Sequence, residues 1–112
     1  MDKDKIIKGS LSTIILQLIQ NNEQMYGYEI TKAVKEASKG KMQLSEAALY
    51  PSLHKLEAEG LIETETKIIN GRSRKYYSLT KKGNKESVDQ LAILKDAINS
   101  LQSVLKYKLA NG

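Results

Sequence analysis

The 112-residue chain contains no cysteine, tryptophan or phenylalanine, and it has one histidine and one proline. Without cysteine it cannot form a disulfide, a thiol nucleophile or a cysteine-ligated metal site. The histidine, His54, cannot build a multi-histidine metal site by itself. We therefore expect no metal and no cofactor. The sequence also shows no nucleophile–base arrangement and no phosphate-binding loop, so we expect that the chain is not an enzyme.

Long apolar runs are also missing. No stretch approaches the ~18 residues that a membrane-spanning helix needs. The charged segment Met1–Lys8 lacks the apolar region of a signal peptide. We therefore expect a cytoplasmic protein that does not enter the membrane. Its length suits one domain with one core, filled by aliphatic side chains and six tyrosines.

Basic side chains exceed acidic ones, with 18 Lys/Arg against 13 Asp/Glu and a net charge of +5. The segment 66–85 holds seven cations and no acid, where a uniform spread would place about three cations. This concentration of charge favours an anionic partner. The seven cations are Lys67, Arg72, Arg74, Lys75, Lys81, Lys82 and Lys85.

Apolar side chains repeat at helical spacing in three segments of the N-terminal half. The first segment covers residues 5–20, and the second begins after Gly27 and ends at Gly40. Ser45 can cap a third helix, which Gly60 ends. Pro51 falls inside this third helix, where proline removes a hydrogen bond and bends the axis. We retain the helix because its apolar stripe continues through the proline: Leu49, Leu53 and Leu56.

After Gly60 the apolar pattern changes from the helical period to the two-residue alternation of β-strands. Ile62–Ile68 alternates, Arg74–Leu79 has strand composition, and Asn70-Gly71 between them predicts a hairpin turn. Thr80 can cap a last helix that runs to about Leu109. Its apolar positions form a heptad seam, and the helix is too long for its own domain to cover, so we expect dimerisation through it. The seam consists of Leu91, Leu94, Ile98, Leu101 and Leu105.

This order of elements predicts a mainly α fold with a two-stranded antiparallel β wing. It is the order of a winged helix-turn-helix domain, here residues 1–79, followed by a C-terminal dimerisation helix, residues 80–112. In that architecture the third helix enters the major groove of DNA near its N-terminus. The wing then lies against the DNA backbone or reaches toward the minor groove.

Three motifs in the same order resemble the PadR-like family of winged helix-turn-helix transcriptional regulators. They are Met25–Ile30, Leu49–Ile62 and Gly71–Gly83, and the resemblance covers about residues 8–83. It implies a bacterial homodimer that binds double-stranded DNA at near-palindromic operators, mostly as a repressor. It also implies dimerisation through the C-terminal helix and, in some members, release by a small-molecule effector.

Carried over to this chain, the resemblance implies two sets of DNA-binding residues. In the third helix they are Ser45, Glu46, Ala47, Tyr50 and His54. In the wing they are Arg72, Ser73, Arg74 and Lys75, with Tyr28 and Lys55 as further backbone contacts. Multidrug-sensing members stack flat compounds on a tryptophan of the terminal helix, and this chain has Leu91-Ala92-Ile93-Leu94 there.

Other interpretations of the same residues remain open. His54 is as well explained as a solvent-exposed helix residue, and alternation along the strand favours a buried ring for one of Tyr76 and Tyr77. The whole chain could also be a winged-helix protein-interaction module that does not bind specific DNA. A small apolar effector is a candidate partner if the dimer leaves a gap between its terminal helices and the domain body.

Overall fold

The computed structural model describes residues 3–110, and in this range helices surround a small antiparallel sheet. The winged-helix fold predicted from the sequence is confirmed. In chain order the elements are α1 (Lys3–Ile7), a 3-10 turn (Lys8–Ser10), α2 (Leu11–Asn22), β1 (Gln24–Tyr26), α3 (Gly27–Ala37), α4 (Glu46–Ala58), β2 (Ile62–Ile69), β3 (Arg72–Leu79) and α5 (Lys81–Lys106).

The first predicted helix, residues 5–20, is divided. A 3-10 turn that contains Gly9 separates α1 from α2. Glycine is a weak helix former because its backbone loses the most conformational freedom on folding. The apolar stripe that predicts the first helix runs from Leu11 to Ile19 and lies wholly within α2, so it carries no information about the residues before Leu11.

Side-chain caps begin the two helices that matter most for function, as the sequence predicts. The Ser45 hydroxyl accepts a hydrogen bond from the Ala48 amide at 3.2 Å, and the Thr80 hydroxyl accepts one from the Gly83 amide at 3.0 Å. The predicted end of the last helix is wrong by three residues, since α5 ends at Lys106 and not at Leu109. Its last turns are exposed in the monomer, and helical turns without packing partners fray.

The sheet has one strand more than the sequence analysis expects. Within residues 3–110 its order is β1-β3-β2, and Met25 of β1 faces Tyr77 of β3. Three residues are too few for alternation to identify a strand. The hairpin itself is confirmed: Asn70 and Gly71 have φ of 51° and 76°, and they join the paired residues Ile69 and Arg72.

One core lies between the helices and the inner face of the sheet. The side chains of Leu49, Leu53 and Leu56 are buried, as predicted for the apolar face of α4. The ring of Tyr77 is buried in the core, whereas Tyr76 is half-buried on the opposite face of the sheet. This confirms the prediction that alternation along the strand buries one of the two rings. The other buried members are Ile15, Leu16, Ile19, Met25, Ile30, Leu61 and Ile62.

Helix α5 starts against the core and then leaves it. Near its N-terminus it packs along α2, where the Ser87 hydroxyl donates to the Gln20 side chain at 2.8 Å and Thr13 donates to Gln90 at 3.0 Å. Beyond Leu94 its side chains are exposed. Among residues 3–110, neither α5 nor any other helix combines the length and apolar content needed to cross a membrane.

We expect Gly83→Ala to lower the stability of the fold strongly. Gly83 is buried, and a β-carbon at this position would overlap the carbonyl oxygen of Leu61. Because that oxygen belongs to the backbone and accepts a hydrogen bond from the Thr80 amide, relief requires α5 to shift. Overpacking of this kind costs about 1–3 kcal/mol, and sometimes more. The unfolding free energy from urea titration measures the loss.

The matched control is Gly9→Ala, because a β-carbon at Gly9 meets no atom within 4 Å. This variant should unfold at the midpoint of the unchanged protein or slightly above it. Equal midpoints for the two variants would contradict the assigned contact between α5 and the start of β2.

Candidate nucleic-acid interface

Helix α4 presents the first part of the candidate interface. Its buried leucines turn Ala47 outward, and Glu46 is exposed because it lies in the first turn, before the first buried leucine. Ser45 is exposed too, but its hydroxyl is engaged in capping the helix. Small side chains at a helix N-terminus allow close approach of another molecule, and the free amides there favour an anion. Two turns further along, His54 and Lys55 are exposed.

Tyr50 has a second role that its sequence position does not indicate. Its ring lies across the start of α3, where a β-carbon on Gly27 would come within 2.5 Å of the phenolic oxygen. The side chain is still 37% exposed. Gly27 therefore leaves the space in which the Tyr50 ring rests, and the contact fixes the direction in which the ring points from α4.

The predicted wing cations divide between the two faces of the hairpin. Arg74 lies on the outer face, with its guanidinium carbon 4.6 Å from the centre of the Tyr26 ring. Lys75 lies on the other face, 5.7 Å from the ring of Tyr77. At the tip, Arg72 and Ser73 are exposed. The four predicted wing residues all belong to β3, but their side chains lie on different faces of it and do not form one surface.

A group of tyrosines on the outer face of the sheet supports Arg74. The Tyr26 ring makes an edge contact with Tyr76 at 5.5 Å and stacks on Tyr28 at 6.4 Å. Lys67 lies 5.2 Å from the Tyr76 ring. Tyr28 is 62% exposed at the first turn of α3, where it can meet a partner. Sequence reasoning missed Tyr26 as a site residue, although it belongs to the motif Met25–Ile30.

The junction Tyr26-Gly27 joins the two predicted groups of residues. Tyr26 contacts Arg74 of the wing, and Gly27 contacts Tyr50 of α4. The amide of Tyr26 donates to the Glu29 carboxylate at 3.1 Å in a capping box that fixes the start of α3. The exposed face of α4 and the outer face of the wing are therefore parts of one continuous surface.

The face of the wing toward the C-terminal half of α4 is structural, and it meets a carboxylate of that helix. The Thr64 hydroxyl donates to the Glu57 carboxylate at 3.4 Å. Burial raises the pKa of the nearby Tyr77 phenol above its ordinary value, and Tyr50 and Glu57 raise it further. The Tyr77 phenol therefore stays neutral, and its ring packs in the core.

The predicted dimerisation positions lie far along α5 and outside this surface. Leu91 and Leu94 are half-buried near the domain body. Ile98, Leu101 and Leu105 are 45%, 62% and 83% exposed, so the seam becomes more exposed toward the end of the helix. An exposed row of large apolar side chains of this kind marks an interaction surface.

Within residues 3–110, His, Cys, Asp and Glu side chains do not gather in any group of three or more that could hold a metal ion. The basic wing and the N-terminal half of α4 form the candidate interface, and the apolar seam of α5 lies apart from it.

The chain matches the model of the transcriptional regulator PadR-like family over residues 15–88. The transcriptional regulator Rv3488 of Mycobacterium tuberculosis is 30% identical over 98 residues, which are 88% of each chain. A PadR-like transcriptional regulator from Bacillus cereus has a crystal structure similar to this fold, with a TM-score of 0.78 and 28% identity, over 93% of this chain and 99% of that one.

A further similar structure is that of Bacillus subtilis PadR in complex with operator DNA. It has a TM-score of 0.65 and 34% identity over 72% of this chain and 46% of the PadR chain. The resemblance seen in the three sequence motifs is confirmed, and so is the expectation that the chain is not an enzyme, since the matched family is one of regulators. The chain belongs to the PadR-like family of transcriptional regulators.

Proposed function

We propose that this regulator is a repressor that binds a near-palindromic DNA operator as a homodimer. The observation that carries the proposal is the continuous exposed surface that joins the first turns of α4, the Tyr26-Gly27 junction and the basic wing. Bacillus subtilis PadR, which is similar in sequence and structure, forms a complex with operator DNA. This similarity supports the same class of ligand for the present chain.

Helix α4 is suited to enter the major groove with its N-terminal half. Ser45 and Ala47 are small, and Glu46 offers a carboxylate that can accept a hydrogen bond from the amino group of cytosine. Tyr50 and His54 can donate to base edges or phosphates from the same side. Glu57 and Glu59 lie at the opposite end of the helix, where their charges are furthest from the groove.

The wing supplies the charges for the sugar–phosphate backbone. Arg72 is exposed at the tip of the hairpin, and Arg74 is held against Tyr26 with its charge toward the outer face. Each phosphate that a cation neutralises releases counterions from the DNA. Arg74, Lys75 and their neighbours therefore contribute affinity that depends on salt and little on sequence. Tyr28 of α3 and Lys55 of α4 add further hydrogen-bond donors for the DNA backbone.

Packing of two copies through the seam of α5 would give the dimer the two-fold symmetry that a palindrome requires. Two copies that pack through Ile98, Leu101 and Leu105 bury side chains that the monomer leaves in water. The dimer carries twice the +5 charge of one chain. Its two α4 helices would meet successive major grooves about one helical turn apart.

An open groove of about 450 Å³ between α2 and α5 is the candidate site for a small apolar effector. Val88, Leu91 and Ala92 form its apolar wall, and Gln17 and Gln20 face them from α2. A ligand here would touch both the domain body and the dimerisation helix, so it could change the distance between the two α4 helices. Because the chain has no tryptophan, stacking on an indole is excluded as the recognition mode.

We expect Arg74→Gln to weaken binding to an operator and to a random duplex by the same factor. The reason is that a phosphate contact carries no sequence information. The slope of log affinity against log salt should fall in magnitude by about one unit. Lys106→Gln, which removes a charge from the far end of α5, is the matched control and should leave the slope unchanged.

The contrasting substitution is Tyr50→Phe, which keeps the ring against Gly27 and removes the hydroxyl. It should reduce affinity for the operator and leave affinity for the random duplex unchanged. Equal losses on both duplexes would show that Tyr50 does not read bases. An unchanged salt slope for Arg74→Gln would remove Arg74 from the interface.

We expect Leu101→Asp and Leu105→Asp, made together, to convert the dimer to a monomer. Carboxylates in an apolar seam would lose their hydration without gaining a partner. Sedimentation equilibrium measures the mass, and Gln102→Asp on the neighbouring helix position is the control. A double variant that keeps the mass of the dimer would contradict the assignment of the seam to dimerisation.

A further inference from the structure

We infer that Thr80 and Lys82, at the start of α5, are positioning residues that fix the direction of α4 relative to α5. They act through the backbone carbonyls that follow α4, those of residues 59–61. We call these carbonyls and the two residues that bond them the α4–α5 contact. The inference rests on the proposed function, because it concerns how a dimer holds two α4 helices at the spacing of an operator.

Helix α4 ends in a turn whose amides are engaged and whose carbonyls are available. The Gly60 amide donates to the Glu57 carbonyl at 3.0 Å. The Leu61 amide donates to the Leu56 carbonyl at the same distance. With φ of 75° at Gly60, this is the Schellman arrangement, which ends a helix through a residue in the left-handed region. The carbonyls of residues 59–61 can then accept from donors in another element.

The start of α5 supplies these donors. The Thr80 hydroxyl donates to the Gly60 carbonyl at 2.6 Å, and the Thr80 amide donates to the Leu61 carbonyl at 3.1 Å. The Lys82 ammonium donates to the Glu59 carbonyl at 3.0 Å. Consecutive carbonyls after α4 therefore accept hydrogen bonds from two residues at the start of α5.

The Thr80 hydroxyl joins the end of one helix to the start of the other. It accepts from the Gly83 amide as the cap of α5, and it donates to Gly60 beyond the end of α4. A hydroxyl can serve both bonds because it has one proton and two lone pairs. Gly83 has no β-carbon, so α5 can lie directly against the Leu61 carbonyl. A tilt of α5 must therefore break these bonds or carry the end of α4 with it.

Lys82 has a different role from the wing cations that precede it in the sequence. Its ammonium lies at the C-terminal end of α4, where the aligned peptide dipoles place negative partial charge. Lysine near a helix C-terminus can bond the last carbonyls in this way. One of the seven cations of segment 66–85 is therefore engaged within the domain.

The α4–α5 contact connects the two parts of the proposed repressor. Helix α4 carries the side chains for base edges, and α5 carries the seam through which two copies would pack. The separation and the relative rotation of two α4 helices in a dimer therefore depend on this contact. One base pair added between half-sites shifts one of them by about 3.4 Å along the DNA. A dimer with a rigid α4–α5 contact should discriminate against that shift.

The first test measures the distance between α4 and α5 without DNA. Because the chain has no cysteine, His54→Cys on α4 and Asp96→Cys on α5 give two unique sites for nitroxide spin labels. Both positions are exposed. Double electron–electron resonance on the labelled chain, mixed with a large excess of unlabelled chain, measures the distance within one chain. With the contact intact, one narrow distance distribution is expected.

Thr80→Val removes the hydroxyl and keeps the branched shape of the side chain, so it should broaden or shift this distribution. Lys82→Met removes a donor from an exposed side chain, which the fold tolerates, and should have the same effect. Thr80→Ser keeps the hydroxyl and should restore the narrow distribution. The matched control is Thr31→Val, because the Thr31 hydroxyl bonds the Tyr28 carbonyl at 2.8 Å within α3 alone. Unchanged distributions in Thr80→Val and Lys82→Met would overturn the inference.

The second test uses unlabelled protein with the operator and with the same duplex carrying one extra base pair between its half-sites. The unchanged protein should bind the second duplex more weakly. Thr80→Val and Lys82→Met should bind the operator on the order of two- to thirty-fold more weakly and discriminate less between the two duplexes. Lys82→Met should keep the salt slope of the unchanged protein, in contrast to Arg74→Gln. Unchanged discrimination in both variants would also overturn the inference.

Together the two tests separate this inference from the proposed function. If no operator is selected, the proposed function is wrong, and the distance measurement alone decides whether the α4–α5 contact positions α4. If an operator is bound and the variants change neither the distance nor the discrimination, the inference is wrong and the proposed function stands.

Discussion

The burial of Leu49, Leu53 and Leu56 determines everything that α4 can present to a partner. These three side chains occupy the core with at most 1% exposure, and they set the rotation of the helix about its axis. A helix with its apolar face fixed in this way has one outward face, which here carries Ala47, Tyr50 and His54, while Glu46 is exposed at the helix N-terminus. Truncating a buried leucine leaves a cavity and costs about 2–5 kcal/mol. The direction of the helix and the stability of the domain therefore depend on the same contacts.

The Tyr26-Gly27 junction then connects this helix to the wing. On one side the absence of a β-carbon at Gly27 makes room for the ring of Tyr50, and on the other side Tyr26 holds the guanidinium of Arg74. A cation over an exposed aromatic ring contributes about 0.5–1 kcal/mol. This contribution to stability is small, but it orders a long side chain that, under the proposed function, would meet a phosphate. Because the side chain is ordered before the complex forms, less conformational entropy is lost on binding.

Much of this fold could be predicted from the sequence because its local signals agree. The helical stripes, the caps at Ser45 and Thr80 and the Asn70-Gly71 turn each specify a local structure that the tertiary fold retains. Strand β1 could not be predicted, because its three residues pair only once β3 lies beside them. The early end of α5 also depends on what packs nearby. Propensity carries no information about such contacts.

Most residues of the candidate site could be predicted from the sequence, but the contacts between them could not. The wing cations and the outer face of α4 follow from charge and period. The contact of Tyr50 with Gly27 and the stacking of Arg74 on Tyr26 join residues far apart in sequence, and no spacing rule indicates them.

The most direct measurement of the central claim is a binding selection from a library of random duplexes at about 150 mM salt, a physiological ionic strength. The account predicts that the purified protein enriches an inverted repeat whose half-sites lie about one helical turn apart. Such a repeat requires both a base-reading α4 and a symmetric dimer. Weak, salt-sensitive binding that enriches no sequence would contradict the account. The winged helix would then be a basic scaffold whose partner is not a specific operator.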